Sequence, residues 1–528
     1  MSVTTADFPG GAVTEERRVI LASSLGTVFE WYDFYLYGSL AVFFGRLFFP
    51  PGNDTAALLA SLATFGAGFA VRPFGALVFG RIGDIVGRKY TFLITIVVMG
   101  LATLLTGLVP SYESIGVWAP ILLVTLRLCQ GLALGGEYGG AATYVAEHAP
   151  DNRRGQDTSW IQTTATLGIV LSLVVILACR LNMDPKEFAS WGWRIPFWLS
   201  AVLLGISVYI RLKLRESPVF SEIKAQGKLS RAPLTESFLR GANLKLVLIA
   251  LFGAVAGEGV VWYTGQYYAL FFLTAVLKVD YVTVYTWLII ALLIGTPFFI
   301  VFGALSDRIG RKKIMMAGFL LAVVTYIPIW KAFTHFANPA LEEAVAASPV
   351  VVYGTDCGAA CNGARDFLAK SGVPYTHAAA KNGEPLTISV GNSEAKGFDP
   401  KVLGGMLKQA NYPEKADPAR ISHVPIVILL TLLVIYVTMV YGPIAAFLVE
   451  LFPTRIRYSS MSLPYHIGNG WFGGFVPLIA TSVVVSTGNI YSGLYYPIGV
   501  ALMSLIIGSL FIRETYKTNI KQVALAPS

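Results

Sequence analysis

GRIGDIVGRK, residues 80–89, returns as GALSDRIGRK at 303–312, sharing G-x-x-x-D-x-x-G-R-K at an offset of 223 residues. A second pair, EHAPDNRR (147–154) and ELFPTRIR (450–457), shares E-x-x-P-x-x-x-R at an offset of 303. Both motifs follow matching apolar runs, the first after the second run of a half and the second after the fourth. Two tandem six-helix halves account for both pairs, with 80 extra residues in the second half between its second and fourth runs. Internal repeats of this kind are a common plan of transporters, which place the substrate site at mid-membrane between the repeats.

Working outward, the composition agrees. The 528 residues are 55% hydrophobic and only 13% charged, with a mean hydropathy of +0.62. Apolar runs of roughly 20 residues, long enough for a helix to cross a bilayer, number twelve: 19–44, 56–80, 90–110, 117–145, 160–182, 195–214, 245–274, 281–305, 314–334, 424–449, 459–487 and 491–512. Residues 1–18 are polar and end in Glu-Glu-Arg-Arg, so the first run reads as a retained span rather than a cleaved leader.

Lys and Arg gather in the N-terminus, the C-terminus and the 2–3, 4–5, 6–7, 8–9 and 10–11 loops. The short loops of the other face hold Arg46, Arg180, Lys186, Arg194 and Lys278. The positive-inside rule then puts both termini in the cytoplasm. The net charge of +9 is therefore a topology signal and argues no nucleic-acid partner. The expected division is a cytoplasmic N-terminus (1–18), a six-helix bundle (19–214), a cytoplasmic linker (215–244), spans seven to nine (245–334), an extracytoplasmic insertion (335–421, its polar part 341–420), spans ten to twelve (422–512) and a cytoplasmic C-terminus (513–528).

Charges inside spans carry the sharper signal, since each costs about 3 kcal/mol or more at the bilayer centre unless partnered or solvated. They are Glu30, Asp33, Arg72, Arg127, Glu137 and Glu258. Glu30 and Asp33 are i,i+3 on one helix face, with Tyr37 one turn further and Glu30 nearer the cytoplasm. Asp33, with Tyr37, is the expected contribution of this stretch to a central cavity. Arg127 and Glu137 are ten residues apart, about 15 Å along a straight helix, so one pair of facing groups cannot serve both. The 223-residue offset lays Glu258 within about a turn of Asp33, so each half offers an acid from its first span. Structural ion pairs are one use of such groups. The other is proton transfer, which needs a carboxylate that burial makes reluctant to ionise; Glu30, Asp33, Glu137 and Glu258 qualify. Arg72 and Arg127 stay charged and instead suit a substrate carboxylate or the tuning of a neighbouring acid.

SSMSLPYHIGNGWFGG (459–474) carries Pro464 and four glycines in span eleven. Broken backbone at this depth is tolerated only against protein or a water-filled cavity, which makes Tyr465, His466 and Asn469 expected cavity-lining groups. In WYTGQYY (262–268) of span seven, Tyr263 and Gln266 are the expected substrate contacts, because an amide in an apolar span needs a partner. At the cytoplasmic mouth, Asp84, Arg88 and Lys89 mirror Asp307, Arg308, Arg311 and Lys312.

These stretches, EWYDFYLYG (30–38), RPFGALVFGRIGDIVGRK (72–89), RLCQGLALGGEYGGA (127–141), WGWRIPF (191–197), RESPVF (215–220) and YGPIAAFLVELFPTRIRYSSMSLPYHIGNGWFGG (441–474), together resemble the metabolite:proton symporter family of the major facilitator superfamily. The resemblance covers nearly all the spans but not the insertion. It implies an all-α membrane fold of twelve helices in two bundles and alternating access. It further implies uptake of a small metabolite with a proton across a bacterial inner membrane, no cofactor and no catalysis. Arg127 joins the proton relay by this resemblance. Gating falls to Asp84, Arg88, Lys89, Asp307, Arg308, Arg311, Glu147, Arg154, Glu450 and Arg457. Ile85 departs from the family, which usually has a basic residue there. Substrates of the family are organic acids such as citrate, 2-oxoglutarate or shikimate, or zwitterions such as proline or betaine; a sugar-type porter is the neighbouring possibility. No G-x-x-x-x-G-K-[ST] loop supports an ATP-driven pump, and no feature requires more than a monomer.

The insertion contains PVVVYGTDCGAACNGARDFLAKSGVPY (349–375), which resembles the opening of a glutaredoxin-like domain: a strand, a cysteine pair starting a helix, then a strand. The C-x-x-x-C spacing and an extracytoplasmic setting favour a structural Cys357–Cys361 disulfide over a thiol redox role; no metal ligand set is present. Cys129 and Cys179, in spans, read as small packing residues.

Overall fold

A computed structural model describes residues 9–85, 88–136, 138–213, 241–354, 358–380, 386–453 and 456–518, with the side chains of 9–24, 80–81, 83–90, 92, 140–141, 144, 147–148, 211, 213, 242 and 458 left aside. Among the described residues, ten helices are long and apolar enough to cross a membrane. The other two expected spans are the helix Pro9–Phe48, whose carboxylates lower its hydropathy, and the helix Arg88–Thr106, apolar over Leu93–Thr106. Large apolar side chains such as Leu101, Leu105, Val301, Val324 and Leu510 face outward, as lipid-facing positions do. The chain is a multi-pass helical membrane protein.

Local chemistry sets the ends of the spans. Asn53 starts span two by accepting the Ala56 N–H at 2.9 Å, and Asp280 starts span eight by accepting the Val282 N–H at 2.9 Å. Span seven, Asn243–Val276, is not a uniform helix: wide π-type turns occupy Leu251–Val255, Thr264–Tyr268 and Phe272–Val276. Span eleven carries one at Gly468–Gly473, just past Pro464. The irregularity expected from the glycines is therefore present, and span seven shares it. Widened turns of this kind shift side-chain register and commonly occur at functional sites.

The two halves meet through span five against span eight and span two against span eleven. Gly155 and Gly303 make the contact at one end. A Cβ on Gly303 would lie 2.6 Å from the Gly155 carbonyl oxygen, so only glycine permits this approach. At the other end the Tyr285 hydroxyl donates to the Ser39 carbonyl, and the Tyr267 hydroxyl to the Tyr35 carbonyl at 3.4 Å. The halves are thus closed on each other at both ends.

The insertion between spans nine and ten is an α/β unit. Strand β1 (Val350–Tyr353) leads into the helix Gly358–Ser371 and on to β2 (Thr376–Ala378), which is parallel to β1. Strands β3 (Thr387–Val390) and β4 (Ser393–Lys396) complete a sheet of order β2-β1-β3-β4, with β3 antiparallel to both neighbours. Val350, Val352, Ile388 and Val390 of the sheet are buried, as are Ala364, Leu368, Leu403 and Leu407 of its helices. The strand–helix–strand order expected from the sequence is found. Cys361 is disulfide-bonded and Cys129 and Cys179 are free, while Cys357 lies outside the described residues.

This unit docks on both halves. Toward the second half, the Tyr375 N–H donates to Gly488 O at 3.0 Å, its hydroxyl to Val485 O at 2.9 Å, and the Ala416 N–H to Lys278 O at 3.2 Å. Toward the first, Asn53 donates to Asp366 at 2.8 Å and Lys370 pairs with Asp54 at 2.8 Å. Gly372 sits at the contact with φ of 70°, where an added Cβ would be 2.2 Å from Val276 O. Gly372→Ala is expected to loosen this docking by about 2 kcal/mol, from the left-handed backbone and the clash together. Hydrogen exchange at residues 372–378 should rise in the variant while that of spans ten and twelve stays unchanged.

Candidate functional site

Span one presents an aromatic face to the seam between halves. Trp31 stacks on Tyr35 with centroids 5.1 Å apart, and Tyr35 stacks on Trp262 of span seven at 5.3 Å. Tyr263 and Tyr267, also from span seven, meet Phe65 and Phe69 of span two. Rings from both halves therefore form one continuous surface.

Two guanidinium groups lie against it. Arg72 has its Cζ 4.7 Å from the Phe69 centroid, 4.8 Å from Phe34 and 5.2 Å from Trp31. Arg127 lies 4.3 Å from Phe34 and 4.8 Å from Tyr37. Such cation–π contacts partly offset desolvation. Arg127 Nη1 donates to Phe34 O at 3.0 Å and Gln130 Oε1 at 2.7 Å, and Gln130 passes the chain on to Thr103 at 2.7 Å. Nε of Arg72, and Nε and Nη2 of Arg127, have no hydrogen-bond partner in the protein. Both side chains are buried, and among the described residues no carboxylate stands within ion-pairing distance of either.

The acids are placed separately. Glu258 is fully buried in span seven; Asn469 of span eleven donates to its Oε2 at 2.7 Å, and Oε1 has no partner. Glu30 is buried in span one. Asp33 accepts from Ser200 of span six, so it faces the interior of the first half rather than the seam. Tyr37 bonds Ser61 of span two at 3.2 Å. Glu30, Asp33 and Tyr37 share a helix face, yet Asp33 and Tyr37 reach different neighbouring spans. Glu137 lies outside the described residues.

At the centre, a void of about 10 Å³ is bordered by Trp31, Arg72, Tyr138, Tyr441, Tyr465 and His466. That holds no more than one water, so a metabolite requires the seam to open. Tyr138 of span four and Tyr465 of span eleven stack face to face across it, 3.5 Å apart and 3° from parallel, and Tyr465 bonds Tyr441 at 2.8 Å. Gln266 borders a separate small void with Ser39 and Tyr267, its amide atoms unpartnered. Sequence reasoning missed Tyr138, Trp31, Ser200 and Gln130. The signal for the first two was adjacency, since they directly follow Glu137 and Glu30.

At the end marked by Gly155 and Gly303 the repeat motifs converge. Glu450, fully buried, receives Arg154 Nη1 at 2.9 Å, Arg311 Nη2 at 3.1 Å and the Thr515 hydroxyl at 2.8 Å. Asp307 pairs with Arg311 at 2.7 Å and accepts the Gly155 and Gln156 N–H groups at 2.8 and 2.9 Å. Those donors open the span-five helix, where the helix dipole favours a carboxylate. Arg154 also pairs with Asp151. Arg457, the repeat counterpart of Arg154, donates locally to Phe452 O at 3.2 Å, and Arg308 is exposed. The side chains of Asp84, Arg88, Lys89 and Glu147 lie outside those described.

Comparison with known proteins places this architecture. A family described as sugar (and other) transporter matches residues 19–247. The inner membrane metabolite transport protein YhjE of Escherichia coli is 31% identical over 502 residues, covering 94% of each chain. The chain belongs to the major facilitator superfamily of transporters. The proline/betaine transporter of Escherichia coli is 29% identical over 531 residues, covering 97% of this chain and 86% of that one. Among solved structures, the proton:xylose symporter XylE bound to 6-bromo-6-deoxy-D-glucose aligns over 96% of this chain and 98% of its own, with a TM-score of 0.65 at 14% identity. That likeness is one of fold. In this transporter, then, the repeat motifs, the aromatic seam and the buried guanidiniums occupy a two-bundle scaffold, and the insertion is mounted at the seam's far end.

Proposed function

We propose that the transporter imports a small carboxylate-bearing metabolite, an organic acid anion or a zwitterionic osmolyte, together with a proton, by alternating access across a bacterial inner membrane. The observation that carries this is the pair of buried guanidiniums, Arg72 and Arg127, with N–H donors unused at Arg72 Nε and at Arg127 Nε and Nη2 and, among the described residues, no carboxylate within ion-pairing distance. A planar guanidinium with N–H donors still unused suits a carboxylate, and the surrounding rings suit an apolar or cationic remainder. Tyr37, Tyr263, Gln266, Tyr465, His466 and Asn469 complete the substrate contacts in this reading. Glu258, with one free oxygen beside a broken span, is the leading proton carrier, ahead of Glu30, Asp33 and Glu137, and Arg127 tunes the relay.

Opening alternates between the ends. The Arg154–Glu450–Arg311 cluster with Asp307 latches the end read as cytoplasmic, together with Asp84, Arg88, Lys89, Glu147, Arg308 and Arg457, and the insertion stands on the outer face. The named substrates of the relatives, metabolites and proline or betaine, support the substrate class. Proteoliposomes with an acid exterior, offered labelled 2-oxoglutarate, shikimate, proline, glycine betaine and xylose, test it. One carboxylate-bearing compound should accumulate, and a protonophore should reduce its accumulation about tenfold or more. Accumulation of xylose alone, or uptake indifferent to the protonophore, contradicts the proposal.

A further inference from the structure

Beneath the insertion lies a cavity of about 210 Å³, far larger than the central void. Its walls come from the end of span one, the start of span two, the end of span seven and the linker after it, the insertion, and the end of span eleven. Three cations border it, Arg46, Lys278 and Lys370, against one carboxylate, Asp54. Asp54 is already paired with Lys370 at 2.8 Å, so the described residues that border the cavity carry an excess of two positive charges. Lys278 is half-buried between its neighbours, and its backbone is left-handed at φ of 57°. Glycine or asparagine is the usual occupant of that conformation, so the lysine is held there against local preference. Its carbonyl accepts from Ala416 of the insertion, which fixes the residue under the cavity roof.

We infer that this cavity is a second ligand site, separate from the central one, for a small oxyanion (a carboxylate or phosphate group) held by Lys278 and Arg46. Because Arg46 belongs to the first half and Lys278 to the second, an occupant joins the halves on this face and favours its closed state. The anion reaches the cavity either from solution or as the headgroup of an acidic lipid at the membrane surface.

Burial, with Arg46 and Lys370 beside it, pushes the Lys278 ammonium down to about 8. The groups that face it are Arg46 from span one, Asp54 from span two, and Lys370 from the insertion. Lys278 is thus charged below that pH and neutral above it, so binding should weaken as pH rises from 7 to 9.

The test uses the full-length protein in phosphatidylcholine nanodiscs, with inorganic phosphate as the soluble probe. Lys278→Gly removes the ammonium and suits the left-handed backbone, so the variant should fold; Arg46→Gln is the second variant. Each, and the change from pH 7 to 9, should weaken phosphate binding about tenfold, the worth of one charged hydrogen bond. Lys401→Gln, an exposed cation of the insertion that does not border the cavity, should leave it unchanged, which separates this site from a general effect of surface charge. A parallel arm in phosphatidylglycerol nanodiscs measures retained lipid by native mass spectrometry. Lipid retention that falls in Lys278→Gly supports the headgroup as the source. The inference is overturned if neither phosphate binding nor lipid retention responds to Lys278→Gly.

Discussion

Glu450→Gln is expected to destabilise the closed end of the seam by about 3–5 kcal/mol, the usual cost of removing one member of a buried ion pair. The carboxylate serves Arg154 from the first half, and Arg311 and Thr515 from the second, with no exposure to solvent. Neutralising it leaves two guanidiniums buried with, among the described residues, Asp151 and Asp307 as counter-charges. The expected readout is a large rise in thiol labelling of a cysteine placed at Gln156, together with loss of concentrative uptake. Arg154→Gln should act in the same direction but less strongly, since Arg311 keeps Glu450 paired. Labelling that stays at the wild-type level in Glu450→Gln would remove the latch from the account.

Glu258→Gln is expected to lower proton-driven accumulation about 100-fold, the scale on which a positioned proton-transfer group contributes. The substitution keeps size and a carbonyl oxygen for the Asn469 amide, now 2.7 Å from the carboxylate. Packing should therefore survive, and exchange of labelled for unlabelled substrate across the membrane should continue within about threefold of wild type. That split separates a proton carrier from a structural group, whose loss would reduce both rates together. Asp33→Asn serves as the comparison. Its carboxylate is tied to Ser200 inside the first half, and the account predicts a smaller effect on accumulation.

Much of the architecture was legible because the chain repeats itself. The G-x-x-x-D-x-x-G-R-K pair located the ends of spans two and eight, and its 223-residue offset set Glu258 opposite span one. What repetition cannot give is which copy touches which. Arg154 crosses from the first half to Glu450 of the second, where Arg311 joins it, a meeting of the two motifs that neither offset states. A repeat reports homologous positions, whereas contact between halves follows from the closed state of the seam. Helix periodicity likewise put Glu30, Asp33 and Tyr37 on one face, but could not say that Ser200 and Ser61 lie on different sides of it. The Tyr138–Tyr465 stack was hidden for the same reason, its partners being 327 positions apart in the chain. The insertion was found by subtraction and its first strand–helix–strand by pattern. Its docking through Tyr375 and Lys370 depends on surface fit that no periodicity encodes.

The central claim is that a proton accompanies a carboxylate-bearing substrate through the seam. It is tested most directly by the pH inside proteoliposomes loaded with a trapped pH-sensitive dye and given no initial gradient. Adding the transported compound outside should acidify the interior in wild type and leave it unchanged in Glu258→Gln. Uptake of labelled compound in wild type with no acidification would contradict the account.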